Sequence, residues 1–299
     1  MLISKSVRTS KNTQCCFRDL SNDKIRLIWE ITSRCNLSCK HCFISTNRCG
    51  DLKTEEIFRI VDNLDGINLG KIMLTGGEVF LRNDLLSILE YVKNKFKDVI
   101  IDITTNGTLL DKNNVTKLKE LGVEELSISI DGTSQVHDYQ RNKIGSFNKM
   151  IMGVDLLIFH DITVDGIMVL NKTNFNCLEE TIDIAFKSGF SSLNISNLLF
   201  LKNSTYDYNL LKLNDTEIEK ATEIIDEKKS EFGQLMPIKM VGFNKITIKC
   251  YVRNIVSINS QGDVMHCFLS SSKNVQKFNA LNQKLKSYFD LEKNGMYCT

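Results

Sequence analysis

The sequence predicts an α/β protein whose strands form a parallel sheet or a partial barrel, followed by a smaller module. Short apolar runs typical of strands alternate with helix-type patterns from residue 24 onward, as they do in proteins with parallel sheets. Most of the strand runs are apolar throughout, which is expected when both faces of a sheet are covered. The alternation of strand and helix patterns ends after Phe232, so we expect the chain beyond it to fold differently.

Six runs predict the strands, because they are short and apolar. They cover residues 25–31, 71–74, 99–104, 125–130, 163–170 and 193–198. The helical patterns cover roughly residues 54–64, 85–92, 115–121, 147–159, 177–187 and 215–232. Thr54 is predicted as the N-cap of the first helix, and Gly122 ends the third.

The two ends of the chain differ from this α/β part. Residues 1–23 are polar and aperiodic and predict a loose arm. Residues 245–248, 255–258 and 263–266 predict short antiparallel strands, with a turn at Gln261-Gly262. We therefore expect an arm at 1–23, a barrel domain at 24–235 and a small extension at 236–299.

The composition is that of a globular protein, with 42% hydrophobic and 25% charged residues. A net charge of +2 gives no reason to expect nucleic acid or an anionic membrane as the main partner. No apolar run is long enough to cross a bilayer, and the first residues lack the hydrophobic core of a signal peptide. We therefore expect a cytoplasmic protein, whose ten cysteines more often bind metal or do chemistry than form disulfides.

Three cysteines, Cys35, Cys39 and Cys42, follow the first predicted strand directly. Disulfides are rare in a reducing compartment, and the number of cysteines in the loop is odd, so a disulfide does not explain all three. A zinc site normally has four ligands, and no second pair of suitable spacing lies nearby. The spacing also places the side chains on one face of a helix, but the residues between them form helices poorly. Three thiolates in a loop suit an iron–sulfur cluster with one open iron best, and zinc or structural cysteine remain the alternatives.

The cysteine loop resembles that of the radical SAM superfamily, whose hallmark is Cys-x3-Cys-x2-Cys after the first strand of a partial barrel. The residue before the third cysteine is usually aromatic in that superfamily, and here it is His41. The resemblance implies a 4Fe–4S cluster on the three cysteines, with S-adenosylmethionine (SAM) chelated by the open iron. Such enzymes cleave SAM reductively to a 5′-deoxyadenosyl radical that abstracts hydrogen from the substrate. The implied fold is α/β, a partial (β/α)6 TIM-like barrel with a small C-terminal β-hairpin/α module.

Further motifs at the ends of successive strands match the same superfamily, although each has a simpler explanation alone. Gly76-Gly77-Glu78 and Asn106-Gly107 are typical of turns, and Arg141 is typical of a surface salt bridge. Their order along the chain implies a SAM-binding set consisting of His41, Gly76, Gly77, Glu78, Thr105, Asn106, Ser129, Asp131 and Arg141. The resemblance assigns Glu78 to the methionyl ammonium of SAM, Ser129 to the ribose and Arg141 to the carboxylate.

The barrel resembles the branch of the superfamily that carries a C-terminal SPASM or twitch extension, which includes anaerobic sulfatase maturases and peptide-modifying enzymes. Cys250, Gly262 and Cys267 match the opening Cys-x(9–15)-Gly-x4-Cys of a SPASM domain, and two buried cysteines of a β module are the alternative. Only Cys298 follows, so the extension is short of the full pattern. The resemblance thus implies at most one auxiliary iron–sulfur cluster, on Cys250, Cys267 and Cys298.

The resemblance implies an enzyme that abstracts hydrogen from a peptide or protein, for example in side-chain oxidation or thioether formation. Its electron donor would be of the flavodoxin or ferredoxin type. Two alternatives stay open: a radical SAM enzyme acting on a small molecule in cofactor biosynthesis, and a truncated, non-catalytic relative that binds a peptide. The sequence identifies no catalytic acid or base, although Asp165, Asn194, Ser196 and Asn197 are polar residues suited to face a substrate.

Overall fold

The computed structural model describes residues 24–42, 50–200, 206–243, 254–265 and 278–288. The strands in these ranges are β1 (Ile25–Thr32), β2 (Leu69–Gly76), β3 (Ile100–Thr105), β4 (Glu125–Ser129), β5 (Thr163–Leu170), β6 (Ser192–Asn197), β7 (Ile238–Val241), β8 (Ile255–Ile258) and β9 (Val264–Met265). They form one sheet in the order β7-β6-β5-β4-β3-β2-β1-β8-β9.

Helices connect the successive strands. They are α1 (Thr54–Asn63), α2 (Leu85–Lys95), α3 (Lys112–Glu120), α4 (Ser134–Arg141), α5 (Ser146–Phe159), α6 (Leu178–Lys187), α7 (Tyr208–Leu211) and α8 (Asp215–Phe232). Short 3-10 turns lie at Val79–Leu81 and Phe175–Cys177. The strands β1 to β7 are all parallel to their neighbours, and the sheet stays open, which confirms the predicted partial barrel.

The extension continues this sheet. β8 and β9 pair antiparallel as predicted, and Gly262 supplies the turn between them at φ 84°. β8 also lies parallel to β1, with Arg26 opposite Ile255 and Trp29 opposite Ile258. Local pattern predicts the strand itself but cannot predict such a distant partner. The predicted strand at residues 245–248 lies outside the described residues, and the domain boundaries stay a prediction.

The two faces of the sheet differ in character. The face packed on the helices carries fully buried apolar side chains such as Trp29, Ile103 and Leu126. Along β2, β5 and β6, buried positions alternate with partly exposed ones, so the expectation of strands apolar on both faces is wrong there. The reason is that the second face, which we call the inner face, is partly exposed among the described residues and can therefore carry polar groups.

The inner face carries a charged cluster near the amino ends of three strands. Lys71 Nζ lies 3.1 Å from Asp102 Oδ2 and also contacts Glu125. Ser127 Oγ donates a hydrogen bond of 3.1 Å to Asp102 Oδ1. Burial raises the pKa of Asp102 above its ordinary value, and the Lys71 ammonium offsets part of that rise. The polar residues of the inner face continue onto β5, where Asp165 lies opposite Ser127. Asp165 Oδ1 accepts a 2.6 Å hydrogen bond from Ser192 Oγ on β6.

One predicted helix start is displaced by a residue. The N-cap of α1 is Lys53, and Thr54 is the first helical residue. The Lys53 amide donates to the Glu56 carboxylate over 2.8 Å, so this N–H group at the start of the helix has a hydrogen-bond partner. The Thr54 hydroxyl donates instead to Asp84 over 2.7 Å, which ties α1 to the start of α2.

Candidate functional site

The cysteine loop leaves the carboxyl end of β1 and is braced by two neighbouring segments. The Lys40 amide donates to the Gln140 carbonyl over 2.9 Å, and Asn142 Nδ2 donates to Ser38 Oγ over 3.0 Å. On the other side, Asn36 Nδ2 donates to Thr108 Oγ1 over 2.9 Å. The loop is therefore fixed between α4 and the segment that follows β3, at the edge of the sheet where parallel α/β proteins bind ligands.

The cysteines themselves are partly exposed at this edge. Cys35, Cys39 and Cys42 all have intermediate burial, and the Cys42 amide donates to the Cys39 carbonyl over 3.2 Å. Burial raises the pKa of the Cys35 thiol to about 11, with a smaller rise from the charges of Cys39 and Glu78. A thiolate in this position needs a strong positive partner, which iron supplies on ligation.

The donor set fits a cluster better than a single ion. Within the described ranges, no three His, Cys, Asp or Glu side chains are grouped closely enough to hold one metal ion. Three sulfur donors spread along one loop suit a multi-iron cluster, in which each sulfur ligates a different iron. By donor chemistry, three thiolates in one loop fit an iron–sulfur cluster with one open iron.

Gly76 and Gly77 let β2 lie directly against the backbone that enters the cysteine loop. A Cβ on Gly76, at φ 143°, would lie 2.2 Å from the Thr32 carbonyl oxygen, and one on Gly77 would lie 2.1 Å from that of Arg34. The Gly77 amide donates to the Thr32 carbonyl over 2.9 Å. This backbone packing accounts for both glycines, and their contact with SAM stays a prediction.

Glu78 joins this turn to the end of β3. Its carboxylate is fully buried and accepts hydrogen bonds from Thr105 Oγ1 at 2.6 Å and from the Asn106 amide at 2.8 Å. Burial raises the pKa of Glu78, and these hydrogen bonds offset part of the rise. Asn106 in turn donates from Nδ2 to Asn36 over 2.9 Å. The structure therefore brings Glu78, Thr105 and Asn106 together beside the cysteine loop, and their contact with SAM stays a prediction.

A second group joins the end of β4 to α4 and the cysteine loop. Arg141 Nη2 lies 2.6 Å from Asp131 Oδ2, and Arg141 Nη1 donates to Cys39 Sγ over 3.6 Å. His41 Nε2 lies 3.5 Å from Asp131 Oδ2, and Val169 on β5 donates its amide to Asp131 Oδ1 over 3.1 Å. Three of the predicted SAM-binding residues, His41, Asp131 and Arg141, thus meet at one buried point beside the predicted ligand Cys39.

Charges in this group are set by burial and by pairing. Burial alone would raise the pKa of Asp131, but the Arg141 guanidinium holds it below its ordinary value. Burial lowers the pKa of His41 to about 4, so this imidazole is neutral near pH 7. Ser129 lies two residues before Asp131 and is partly exposed at the end of β4.

Several buried polar atoms beside the loop have no hydrogen-bond partner among the described residues. They are His41 Nδ1, Arg141 Nε and both side-chain amide atoms of Gln140. Leaving such atoms unsatisfied costs about 1–3 kcal/mol each, so the site offers donors and acceptors suited to a polar cofactor. Gln140 and Asn36 were missed by the sequence analysis, and their positions beside Arg141 and Cys35 were the available clue.

The predicted auxiliary ligands Cys250, Cys267 and Cys298 lie outside the described residues. Among the residues that the structure describes, no helix has the length and hydropathy needed to span a membrane.

Comparisons with known proteins show what this chain is similar to. The profile of the Radical SAM superfamily matches residues 29–185, more than half of the chain. The AdoMet-dependent heme synthase of Methanosarcina barkeri is 32% identical over 174 residues, 57% of this chain and 49% of that protein. The antilisterial bacteriocin subtilosin biosynthesis protein AlbA of Bacillus subtilis is 35% identical over 150 residues, 49% of this chain and 33% of that protein.

A solved structure has the same fold over nearly the whole chain. SuiB of Streptococcus suis, bound to its precursor peptide SuiA, superposes with a TM-score of 0.73 at 15% identity, covering 89% of this chain and 64% of SuiB. At this identity the likeness concerns the fold alone. The chain spans about half the length of the first curated relatives that it matches.

Proposed function

The chain belongs to the radical SAM superfamily, and from that premise we propose that it binds a 4Fe–4S cluster and cleaves SAM reductively. We further propose that the resulting radical abstracts hydrogen from a peptide or protein substrate. The observation that carries the proposal is the set of contacts around the cysteine loop. Asn106 donates to Asn36 in the loop and to Glu78, and Arg141 donates to Cys39 Sγ.

The residues of this chain have distinct parts in the proposal. Cys35, Cys39 and Cys42 would ligate the cluster. When bound, the cluster would supply one electron to SAM and so give a 5′-deoxyadenosyl radical. Around it, His41, Gly76, Gly77, Glu78, Thr105, Asn106, Ser129, Asp131 and Arg141 are proposed to bind and orient SAM.

The inner face is proposed to receive the substrate. Its polar side chains Asp165 and Asn194 are partly exposed and lie below the carboxyl edge that carries the cysteine loop. Carboxylate and amide groups offer hydrogen bonds to a peptide backbone and to polar side chains.

The first experiment is reconstitution of the full chain with iron and sulfide under anaerobic conditions. We expect about four irons per chain at the SAM cluster and formation of 5′-deoxyadenosine from SAM with dithionite. Changing Cys35, Cys39 and Cys42 together to alanine should abolish both. Changing Cys177, which lies at the 3-10 turn before α6, to alanine is the matched control and should leave both in place. If the reconstituted wild-type protein contained zinc or no metal, the proposal would be contradicted.

A peptide substrate is supported by two of the similar proteins. AlbA is named for the biosynthesis of a bacteriocin, and SuiB was solved with a precursor peptide. The second candidate function is small-molecule chemistry in cofactor biosynthesis, which is favoured by the 32% identity to a heme synthase over 57% of this chain.

Deuterium transfer separates the two candidates. The reconstituted protein is mixed with SAM and either candidate precursor peptides or tetrapyrroles, both labelled with deuterium at carbon-bound positions. A peptide substrate should transfer deuterium into 5′-deoxyadenosine and change its own mass. Transfer from tetrapyrroles alone would favour the second candidate.

Two finer points belong to the same proposal. Cys250, Cys267 and Cys298 are proposed to hold an auxiliary cluster, in which case iron should approach about eight per chain and fall by half when Cys250 and Cys267 become alanine. A flavodoxin- or ferredoxin-type protein is proposed as the electron donor, and it should replace dithionite in the SAM cleavage assay.

A further inference from the structure

Arg141 places a buried positive charge against one cysteine sulfur. Its Nη1 donates to Cys39 Sγ over 3.6 Å, and its Nη2 lies 2.6 Å from Asp131 Oδ2. The side chains of Arg141 and Asp131 are 10% and 0% exposed. Water therefore screens this arrangement far less than it screens a surface charge near the loop.

Asp131 fixes the guanidinium from the opposite side. Its Oδ1 is held by the Val169 amide on β5 over 3.1 Å, so the carboxylate has a defined position in the sheet. The planar guanidinium can then bridge the carboxylate and the sulfur at once, which a lysine could not do with the same geometry. Asp131 contacts the guanidinium, and the guanidinium contacts the sulfur, so the two charges act on Cys39 with opposite sign.

Reduction of an iron–sulfur cluster adds a negative charge to it. Hydrogen bonds to the cysteine sulfurs and nearby cations stabilise the reduced form and raise the reduction potential, while nearby carboxylates lower it. A guanidinium that donates to a ligand sulfur should therefore raise the potential of the attached cluster. Its carboxylate partner should limit that rise.

We propose that Arg141 is a positioning residue that raises the reduction potential of the cluster through Cys39, and that Asp131 orients Arg141 and moderates its effect. The inference rests on the proposed function, because it requires the cluster on Cys35, Cys39 and Cys42. It is distinct from the contact with the SAM carboxylate that the superfamily resemblance assigns to the same arginine, since it acts without SAM.

The test is a redox titration followed by electron paramagnetic resonance, on the reconstituted full chain without SAM. In Arg141→Met the potential should become more negative, with the reduced-to-oxidised ratio at a fixed potential falling about tenfold. Arg141→Lys keeps the charge but lacks the planar guanidinium that contacts both groups, so its reduction potential should lie between those of Arg141→Met and the wild type. Asp131→Asn keeps an acceptor for the guanidinium but loses the charge, so its potential should shift in the positive direction.

Lys40→Met is the matched control. Lys40 lies in the loop between Cys39 and Cys42, but its side chain is exposed and its ammonium lies over the Tyr139 ring at 4.4 Å. Solvent screens this charge, so its loss should change the ratio much less than Arg141→Met does. Equal shifts in the two variants would overturn the inference, because net charge alone would then explain them.

Iron content separates the possible failures. A wild-type protein that lacks a cluster dependent on the three cysteines contradicts the proposed function itself. A wild-type cluster whose potential is unchanged in Arg141→Lys and Asp131→Asn contradicts only the role of Arg141. If Arg141→Met loses its iron, the reduction potentials of Arg141→Lys and Asp131→Asn provide the test. Potentials that shift in opposite directions support the inference, and potentials that shift in the same direction overturn it.

Discussion

The helix-packed face and the inner face of the same sheet have opposite chemistry. On β4, Leu126 and Ile128 are fully buried against the helices. Ser127 and Ser129 lie on the inner face, Ser127 beside Asp102 and Ser129 at the carboxyl end of the strand. Apolar burial on the first face stabilises the fold, and the hydrogen bonds and charges on the second face are suited to ligands. The difference teaches that alternate residues of one strand serve stability and function separately.

A cavity created on the helix-packed face should lower the free energy of unfolding more than any of the other changes below. Leu126→Ala removes a fully buried side chain and should lower the free energy of unfolding by about 3 kcal/mol. Ser129→Ala on the inner face of the same strand should change it by less than about 0.5 kcal/mol. Urea unfolding followed by circular dichroism measures both. Equal losses in the two variants would contradict the division of roles between the faces.

A side chain added at the carboxyl edge of the sheet, beside the cysteine loop, should have the next largest effect on stability. In Gly77→Ala the new Cβ would lie 2.1 Å from the Arg34 carbonyl oxygen, so the backbone entering the cysteine loop must move. We expect a loss of about 2 kcal/mol in unfolding free energy and a lower iron content after reconstitution. Lys40→Ala is the control and should bind iron like the wild type, because the Lys40 side chain is exposed and its bracing contact is made by the backbone amide. Normal iron content in Gly77→Ala would show that the close approach does not position the cysteines.

The charged cluster of the inner face should give a pH-dependent effect. Lys71→Met removes the cation that offsets the raised pKa of buried Asp102. An acid whose pKa is higher in the folded state destabilises the fold as it ionises, so stability is lost as pH rises from the ordinary aspartate pKa through the raised one. The variant should lose about 1–2 kcal/mol relative to wild type at pH 8 and less at pH 5.

Urea unfolding at the two pH values measures this loss. Adding Asp102→Asn to Lys71→Met should restore part of the stability at pH 8, since it removes the uncompensated carboxylate. A loss that is the same at both pH values would mean that lost packing of the lysine stem, rather than charge, explains the effect.

The smallest effect is expected at the end of α4. Asn142 has φ 53° and donates to Ser38 Oγ over 3.0 Å. Asn142→Ala loses the hydrogen bond and strains the backbone, and should cost about 1 kcal/mol. Asn142→Gly loses only the hydrogen bond and should cost less, as measured by urea unfolding. A larger loss for glycine would argue against strain at this position.

Sequence pattern predicted most of the helix-packed face and the cysteine loop. The limits of β5 and α8 match the predicted ranges 163–170 and 215–232, because apolar periodicity reports burial against a neighbouring layer. The three cysteines were predicted as cluster ligands because their spacing is unusual. Thr105 and Asn106 were predicted as site residues because they follow a strand, and both roles stay predictions.

Elements with polar buried faces were missed. The helix α4 buries His137, Gln140 and Arg141, so it lacks the apolar stripe from which a helix is predicted. The strand β7 is four residues long and was also missed. The bracing of the cysteine loop by Gln140 depends on this helix, and single-sequence pattern carries no information on such contacts between distant segments.

The pairing of β8 with β1 has a consequence for how the protein is made. β1 carries the cysteine loop at its end and is synthesised well before β8. One of its edges is completed only when Arg26 pairs with Ile255 and Trp29 with Ile258. We therefore expect the strand beneath the cysteines to keep an open edge until residues 255–258 have been synthesised, and to become rigid only after this distant pairing forms.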